Sequence, residues 1–286
     1  IFSGNFKQLM LTHHSASTPP TYTLRNDKGK VQKTLQDNAA LKQKIDGMNL
    51  AKIEFFQFQT QDGVDLNGIM VKPADFDANK KYPVILYQYS GPGSQQVLDS
   101  WYAGNCSAAL LERYMAQEGF VSVIVDGRGT GGRGAEFEKQ TYMKLGQLES
   151  HDQVETAIYL SKLPWVDAKH IGIWGWSFGG FNTLMSMSEG RPVFYAGVAV
   201  APPTSWRYYD TVYTERFMRT PKENQEGYDC SPITRAKNLS GSLLIIHGLA
   251  DDNVHFRNVA EYTEALVHAD KDFRQLTYTN RNHPIY

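Results

Sequence analysis

The stretch IGIWGWSFGGFNTLMSMSE, Ile171 to Glu189, decides the fold. An apolar run with β-branched residues passes through Gly175, Gly179 and Gly180 into a helix-like run, with Ser177 at the turn. A turn that tight needs positions with no side chain to crowd it. The pattern G-x-S-x-G between a strand and a helix predicts a nucleophile elbow. It would hold Ser177 in a strained backbone conformation at the C-terminal edge of a sheet, hydroxyl outward. The N-terminus of the following helix adds free N–H groups and a dipole that favour negative charge beside the serine.

Working outward, HIGIWGWS is one of several short runs rich in Val, Ile and Tyr. The others are YPVILYQYS (82–90), FVSVIVD (120–126), YAGVAVAP (195–202), GSLLIIHG (241–248) and FRQLTYTN (273–280). Some are almost continuously apolar, as strands buried on both faces are. Helix-like segments separate most of them: CSAALLERYMAQEG (106–119), DQVETAIYLSKLP (152–164), FNTLMSMSE (181–189) and NVAEYTEALVHA (258–269). Alternating β and α predicts an α/β fold, a doubly wound, mostly parallel sheet with helices on both faces. A hairpin, KIEFFQFQT to DLNGIMVKP through QDG, precedes it. Residues 1–47 read differently. FKQLM, TYTLRN and KVQKTLQD alternate apolar and polar residues, with the turn NDKG between the last two, and predict a strand meander. NAALKQKID then predicts a short helix leading to Gly47.

A serine needs a base, and the base an orienter. In this kind of fold the chain order is Ser, then Asp or Glu, then His, each on a loop after a later strand. SLLIIHGLADDNVHF puts Asp251 and Asp252 just past one strand, and FRQLTYTNRNH puts His283 just past the next. His247 is a rival base, but it precedes the acid and breaks the order. The residues by themselves leave open which aspartate orients; the best set is Ser177, Asp251 and His283.

Other features carry less. GTGGRG, Gly129 to Gly134, matches a dinucleotide fingerprint but lacks the helix and the acid that a fingerprint requires, and reads as a flexible glycine loop near the active site. The pair His13-His14 does not suggest metal, because neighbouring side chains on a strand point to opposite faces. The 286 residues are 41% hydrophobic and 21% charged, an ordinary globular composition. A formal net charge of −1 gives no basic field for nucleic acid, and no apolar run approaches the ~20 residues of a membrane span. Cys106 and Cys230 form no disulfide framework or metal site; their state and the compartment stay open. No metal or organic cofactor is implied.

GWSFGGF, APPTSWRYYDTVYTERFM, HGLADDNVHF, YSGPGSQQV and DGRG together resemble the catalytic domain of the prolyl oligopeptidase family of serine peptidases, and most specifically its dipeptidyl peptidase IV branch. The resemblance implies an α/β-hydrolase catalytic domain over residues 48–286, lacking a closing C-terminal helix. Residues 1–47 would be the end of a β-propeller and its connector. It implies Ser177 as nucleophile, His283 as general base and acid, and Asp251 as orienter. The Tyr89 hydroxyl and the backbone N–H of Phe178 would form the oxyanion hole. Trp206, Tyr209, Tyr213 and Val254, with the Phe178 ring, would form the proline pocket, and Asn253 would bind the carbonyl of the substrate's first residue. Pro203 stands where an aliphatic pocket residue is usual. The implied activity is release of N-terminal X-Pro or X-Ala dipeptides from peptides. The other readings are a prolyl endopeptidase, an acylaminoacyl peptidase, an esterase, or a non-catalytic binding protein on the same scaffold. The branch grips the free amino terminus with two propeller glutamates that are not among these residues. It also implies a homodimer of the complete protein and favours a periplasmic, secreted or cell-surface setting.

Overall fold

The computed structural model describes residues 1–104 and 107–285. Its first part is an antiparallel three-stranded sheet in the order β1 (Gln8–Ser15), β2 (Thr18–Asn26), β3 (Val31–Gln36), followed by a helix at Ala39–Gly47. The expected meander is therefore present. The turn NDKG closes through Gly29, at φ 78, which a residue with a side chain rarely adopts. β1 runs on through the histidine pair, with a register shift between His13 and Ser15. His14 Nδ1 accepts the backbone N–H of Trp101 at 3.2 Å and so ties the small sheet to the connection that follows the strand Tyr82–Tyr87 of the second sheet. Among the described residues no cluster of side chains could hold a metal ion.

The second sheet has β4 (Ile53–Gln59), β5 (Asp65–Val71), β6 (Tyr82–Tyr87), β7 (Val121–Asp126), β8 (Val166–Trp176), β9 (Ala196–Val200), β10 (Ser242–Gly248) and β11 (Arg274–Tyr278). Their spatial order is β11-β10-β9-β8-β6-β7-β5-β4. β4 and β5 form the expected hairpin, and β5 joins β7 antiparallel; all other pairings are parallel. This is the α/β-hydrolase arrangement. Every residue of β7 is buried, which is why its sequence is nearly continuously apolar. Val84, Leu86, Val123 and Ile173 of the sheet pack with Val154 and Leu160 of the helix Gln147–Ser161 and with Leu184 of the helix Phe178–Met187. Each such side chain contributes about 1.5–3 kcal/mol by leaving water.

Two expectations need correction. The helix expected from Asp152 begins at Gln147, because the Glu149 carboxylate accepts the Gly146 N–H at 2.9 Å and caps an earlier turn. The loop Gly129–Gly134, expected to be flexible throughout, is packed over residues 129–131 and exposed over residues 132–134. Thr130 is fully buried; Gly131 N–H donates to Ser94 O at 2.8 Å, and Gly93 N–H to Gly129 O at 2.9 Å. Gly129 and Gly132 are there for positive φ, and Gly131 because a Cβ would sit 2.7 Å from Gly93 O. Cys230 is a free thiol, and Cys106 lies outside the described residues. No helix of the described residues is long and apolar enough to cross a membrane.

Candidate active site

Ser177 sits between β8 and the helix Phe178–Met187 at φ 58, ψ −119. A non-glycine residue there is strained by roughly 1–3 kcal/mol, and the surroundings must hold it. They do so by close approach. A Cβ on Gly175 would lie 2.5 Å from the Gly179 backbone, and one on Gly180 would lie 2.7 Å from Val200 O. On Gly179 it would collide with Gln88 O. None of these three glycines has positive φ, so they serve as spacers while the serine carries the strain. The Ser177 N–H donates to Val200 O at 2.8 Å, pinning the elbow to the end of β9.

Gln88, buried just past β6, went unnoticed in the sequence. Its amide donates to Gly179 O at 2.7 Å and to Thr183 Oγ1 at 3.1 Å, and its Oε1 accepts from Asn182 and Ser90. A polar residue inside the apolar run VILYQY was the only available signal. The next residue, Tyr89, is half-buried, and its phenol shares a hydrogen bond with Ser177. Burial pushes that phenol up, against the opposing effect of the serine, so Tyr89 stays a neutral hydroxyl. The loop beyond Tyr89 is held by Asp126 at the end of β7. Its carboxylate accepts the N–H groups of Gln96 and Val97 at 2.9 and 2.8 Å. Phe178 opens its helix, so its N–H has no intrahelical acceptor.

Asp251 and His283 meet on the loops after β10 and β11. His283 Nδ1 lies 2.7 Å from Asp251 Oδ2. Asp251 Oδ1 accepts the N–H groups of Asn253 and Val254 at 3.0 and 2.8 Å. Burial raises this carboxyl, but hydrogen bonds from His247, His283 and the Val254 N–H outweigh it and hold the group well below the usual carboxylate range. Asp252 is exposed, which separates the two aspartates. The His283 loop crosses Gly248 so closely that a Cβ there would strike Arg281 O. Trp176, beside the serine, donates its indole N–H to His283 O at 3.1 Å and links the two halves of the cleft.

The four expected aromatic pocket residues converge. Phe178 and Trp206 are buried with ring centroids 5.5 Å apart. Tyr213 stacks on Trp206 at 5.9 Å, and Tyr209 meets Tyr213 edge-on at 5.3 Å. Val254 is fully buried. Asn253 is exposed; its Oδ1 accepts from the Tyr209 hydroxyl at 2.8 Å, which leaves its amide N–H groups as the donors. Pro203 is buried nearby in sequence but is not part of this aromatic cluster. A second layer that the sequence did not reveal, Phe181, Tyr228, Met185 and Met218, backs the box.

A family model described as the prolyl oligopeptidase family matches residues 108–286. The Aspergillus flavus protein named "Probable dipeptidyl peptidase 4" is 38% identical over 93% of this chain and 35% of its own length. The Pyrenophora teres f. teres protein named "Probable dipeptidyl-aminopeptidase B" is 38% identical over 100% of this chain and 31% of its own. The chain thus spans about a third of the length of the curated relatives it matches. The crystal structure of Porphyromonas gingivalis dipeptidyl peptidase 4 superposes with a TM-score of 0.95 at 49% identity, over 100% of this chain and 40% of that one. With an elbow serine, an Asp–His pair on the expected loops and a family match over most of its length, this chain belongs to the prolyl oligopeptidase family.

Proposed function

We propose that these residues are the catalytic part of a serine exopeptidase that releases N-terminal X-Pro or X-Ala dipeptides. Residues 48–286 would be the catalytic domain, and residues 1–47 the end of a propeller and its connector. The observation that carries the reading is the compact aromatic box of Phe178, Trp206, Tyr209 and Tyr213 beside a strained serine. A flat, apolar proline ring fits such a box, and long side chains do not.

In this reading Ser177 Oγ attacks the carbonyl carbon of the second residue, proline or alanine, and its proton passes to His283. Asp251 fixes the imidazole and stabilises the imidazolium. The oxyanion takes hydrogen bonds from the Tyr89 hydroxyl and the Phe178 N–H, donors already in place before charge develops. The C–N bond breaks, His283 protonates the leaving amine, and the dipeptidyl ester remains on Ser177. Water, deprotonated by His283, then attacks the ester; the dipeptide acid leaves and the serine regains its proton. Asn253 would donate to the carbonyl of the first substrate residue.

The deciding experiment compares free and amine-blocked Gly-Pro chromogenic substrates with the full-length protein. Blocking the amine is expected to lower kcat/KM by roughly 10²-fold or more, since a site built for an ammonium is left unpaired. Equal cleavage of both substrates would overturn the exopeptidase reading in favour of an endopeptidase or esterase.

A further inference from the structure

A second histidine reaches the acid. His247, the last residue but one of β10, is fully buried and lies edge-on to Phe256 at 5.7 Å. Its Nε2 is 2.8 Å from Val254 O and 3.2 Å from Asp251 Oδ2. Both neighbours are acceptors, so Nε2 carries a proton; it donates to Val254 O, with Asp251 Oδ2 in contact beside that bond. Nδ1 is buried with no partner among the described residues. A proton there would be an unsatisfied buried donor, so the proton sits on Nε2 and not on Nδ1.

The placement closes a small circuit. Asp251 Oδ1 accepts the N–H of Val254, and the C=O of Val254 accepts from His247, whose Nε2 also lies 3.2 Å from Oδ2. Oδ2 is the same oxygen that faces His283. We propose that His247 is a positioning residue. Its one N–H fixes the loop that carries Val254 and Asn253, the latter bonded to Tyr209, and the same ring edge lies against the Asp251 carboxylate and keeps it in register with His283. This rests on the triad reading above. His247 never meets substrate; it sets how strongly Asp251 holds the His283 imidazolium.

The expected sign follows from the groups that face Asp251. These are His247 on β10, His283 beyond β11, Tyr209 across the pocket and the neighbouring Asp252. Removing the His247 donor leaves Oδ2 more basic and more attractive to imidazolium. His283 is then harder to deprotonate, and the acid limb of kcat/KM moves to higher pH.

Four variants of the full-length protein test this. His247→Phe removes the donor while keeping a ring against Phe256, and His247→Asn shortens it out of reach. His247→Gln can place an amide N–H near the position of Nε2. Ser177→Ala tests the underlying reading. The Phe and Asn variants are expected to lose roughly 10- to 100-fold in kcat/KM at neutral pH, from misplacement of the pair. Their acid limb should move up by roughly half a unit. Gln should return both toward wild type. An unmoved acid limb in a folded Phe or Asn variant overturns the proposal. So does equal loss in all three His247 variants. If Phe and Asn fail to fold while Gln folds, the histidine is structural only, and the proposal is again overturned. Failure of the triad reading looks different: Ser177→Ala would retain turnover.

Discussion

Ser177 is held by backbone atoms packed too closely to shift, whereas Asp251 and His283 are held by hydrogen bonds between loops. On the serine side a single added methyl at Gly175, Gly179 or Gly180 meets the main chain of a neighbouring segment. On the acid side five donors and acceptors gather around one carboxylate: two backbone N–H groups, two imidazoles and, through His247, the Val254 carbonyl. Steric confinement sustains a strained conformation because native interiors cannot deform smoothly. A hydrogen-bonded loop sustains direction and protonation instead, and it fails by degrees. The chemistry assigns the two sides accordingly. The nucleophile needs a fixed position; the base needs a tuned proton.

Breaking the acid side at Asp251 should have a larger effect on rate than deleting the Tyr89 hydroxyl on the serine side. Asp251→Asn keeps an acceptor for the Asn253 and Val254 N–H groups but turns an amide NH2 toward two imidazole nitrogens. The favoured His283 tautomer is then the wrong one for a base. In the full-length protein kcat is expected to fall by about 10⁴-fold, the scale of that change in serine peptidases. Steady-state kinetics with a Gly-Pro substrate measures it. A loss under about 10-fold would mean that the carboxylate does not orient the base.

Tyr89→Phe probes the serine side at its softest point, deleting one oxygen and no packing. The expected fall in kcat is roughly 10²- to 10³-fold, the usual loss for one oxyanion donor, with KM little changed. Labelling by a fluorophosphonate should slow but persist. If Tyr89→Phe costs more than Asp251→Asn, the ranking of the two sides is inverted.

The smallest effect concerns stability beneath the box. Burial raises Glu149 to about 8, against opposing N–H groups, from an ordinary value of 4.5. A raised folded-state value contributes stability that is complete below 4.5 and is lost as pH rises to about 8. Glu149→Gln keeps an acceptor for Gly146 and cannot titrate. It should flatten the fall of stability across that window and raise Tm at pH 8.5 by roughly 2–4 °C. Calorimetry at several pH values checks it; an unchanged slope would show that Glu149 is ionised in the folded protein.

Much was legible before any coordinates, and for local reasons. Ser177 is announced by glycines within five residues of it, and the strands by short runs whose burial on both faces demands apolar side chains. His283 and Asp251 follow from chain order, since each lies just past a strand. The start of the helix at Gln147 was missed because its cap is a buried glutamate, and a buried carboxyl is not what a sequence pattern advertises. The glycine loop 129–134 looked mobile because glycine signals freedom equally where it serves close packing.

The sequence by itself determined the alternation of strand and helix, the elbow, and the residue types that converge on the site. Tertiary structure alone decided which groups support them. Gln88 reaches Gly179 across 91 positions, and Gln96 reaches Asp126 across 30. His247 is only four residues from Asp251, yet its role depends on a strand end folding back beneath its own loop. The physical reason is that parallel strands meet in the order β10-β9-β8-β6-β7, so the partners of a buried polar group come from segments remote in the chain. Periodicity records which face of a segment is buried; it carries no record of what that face meets.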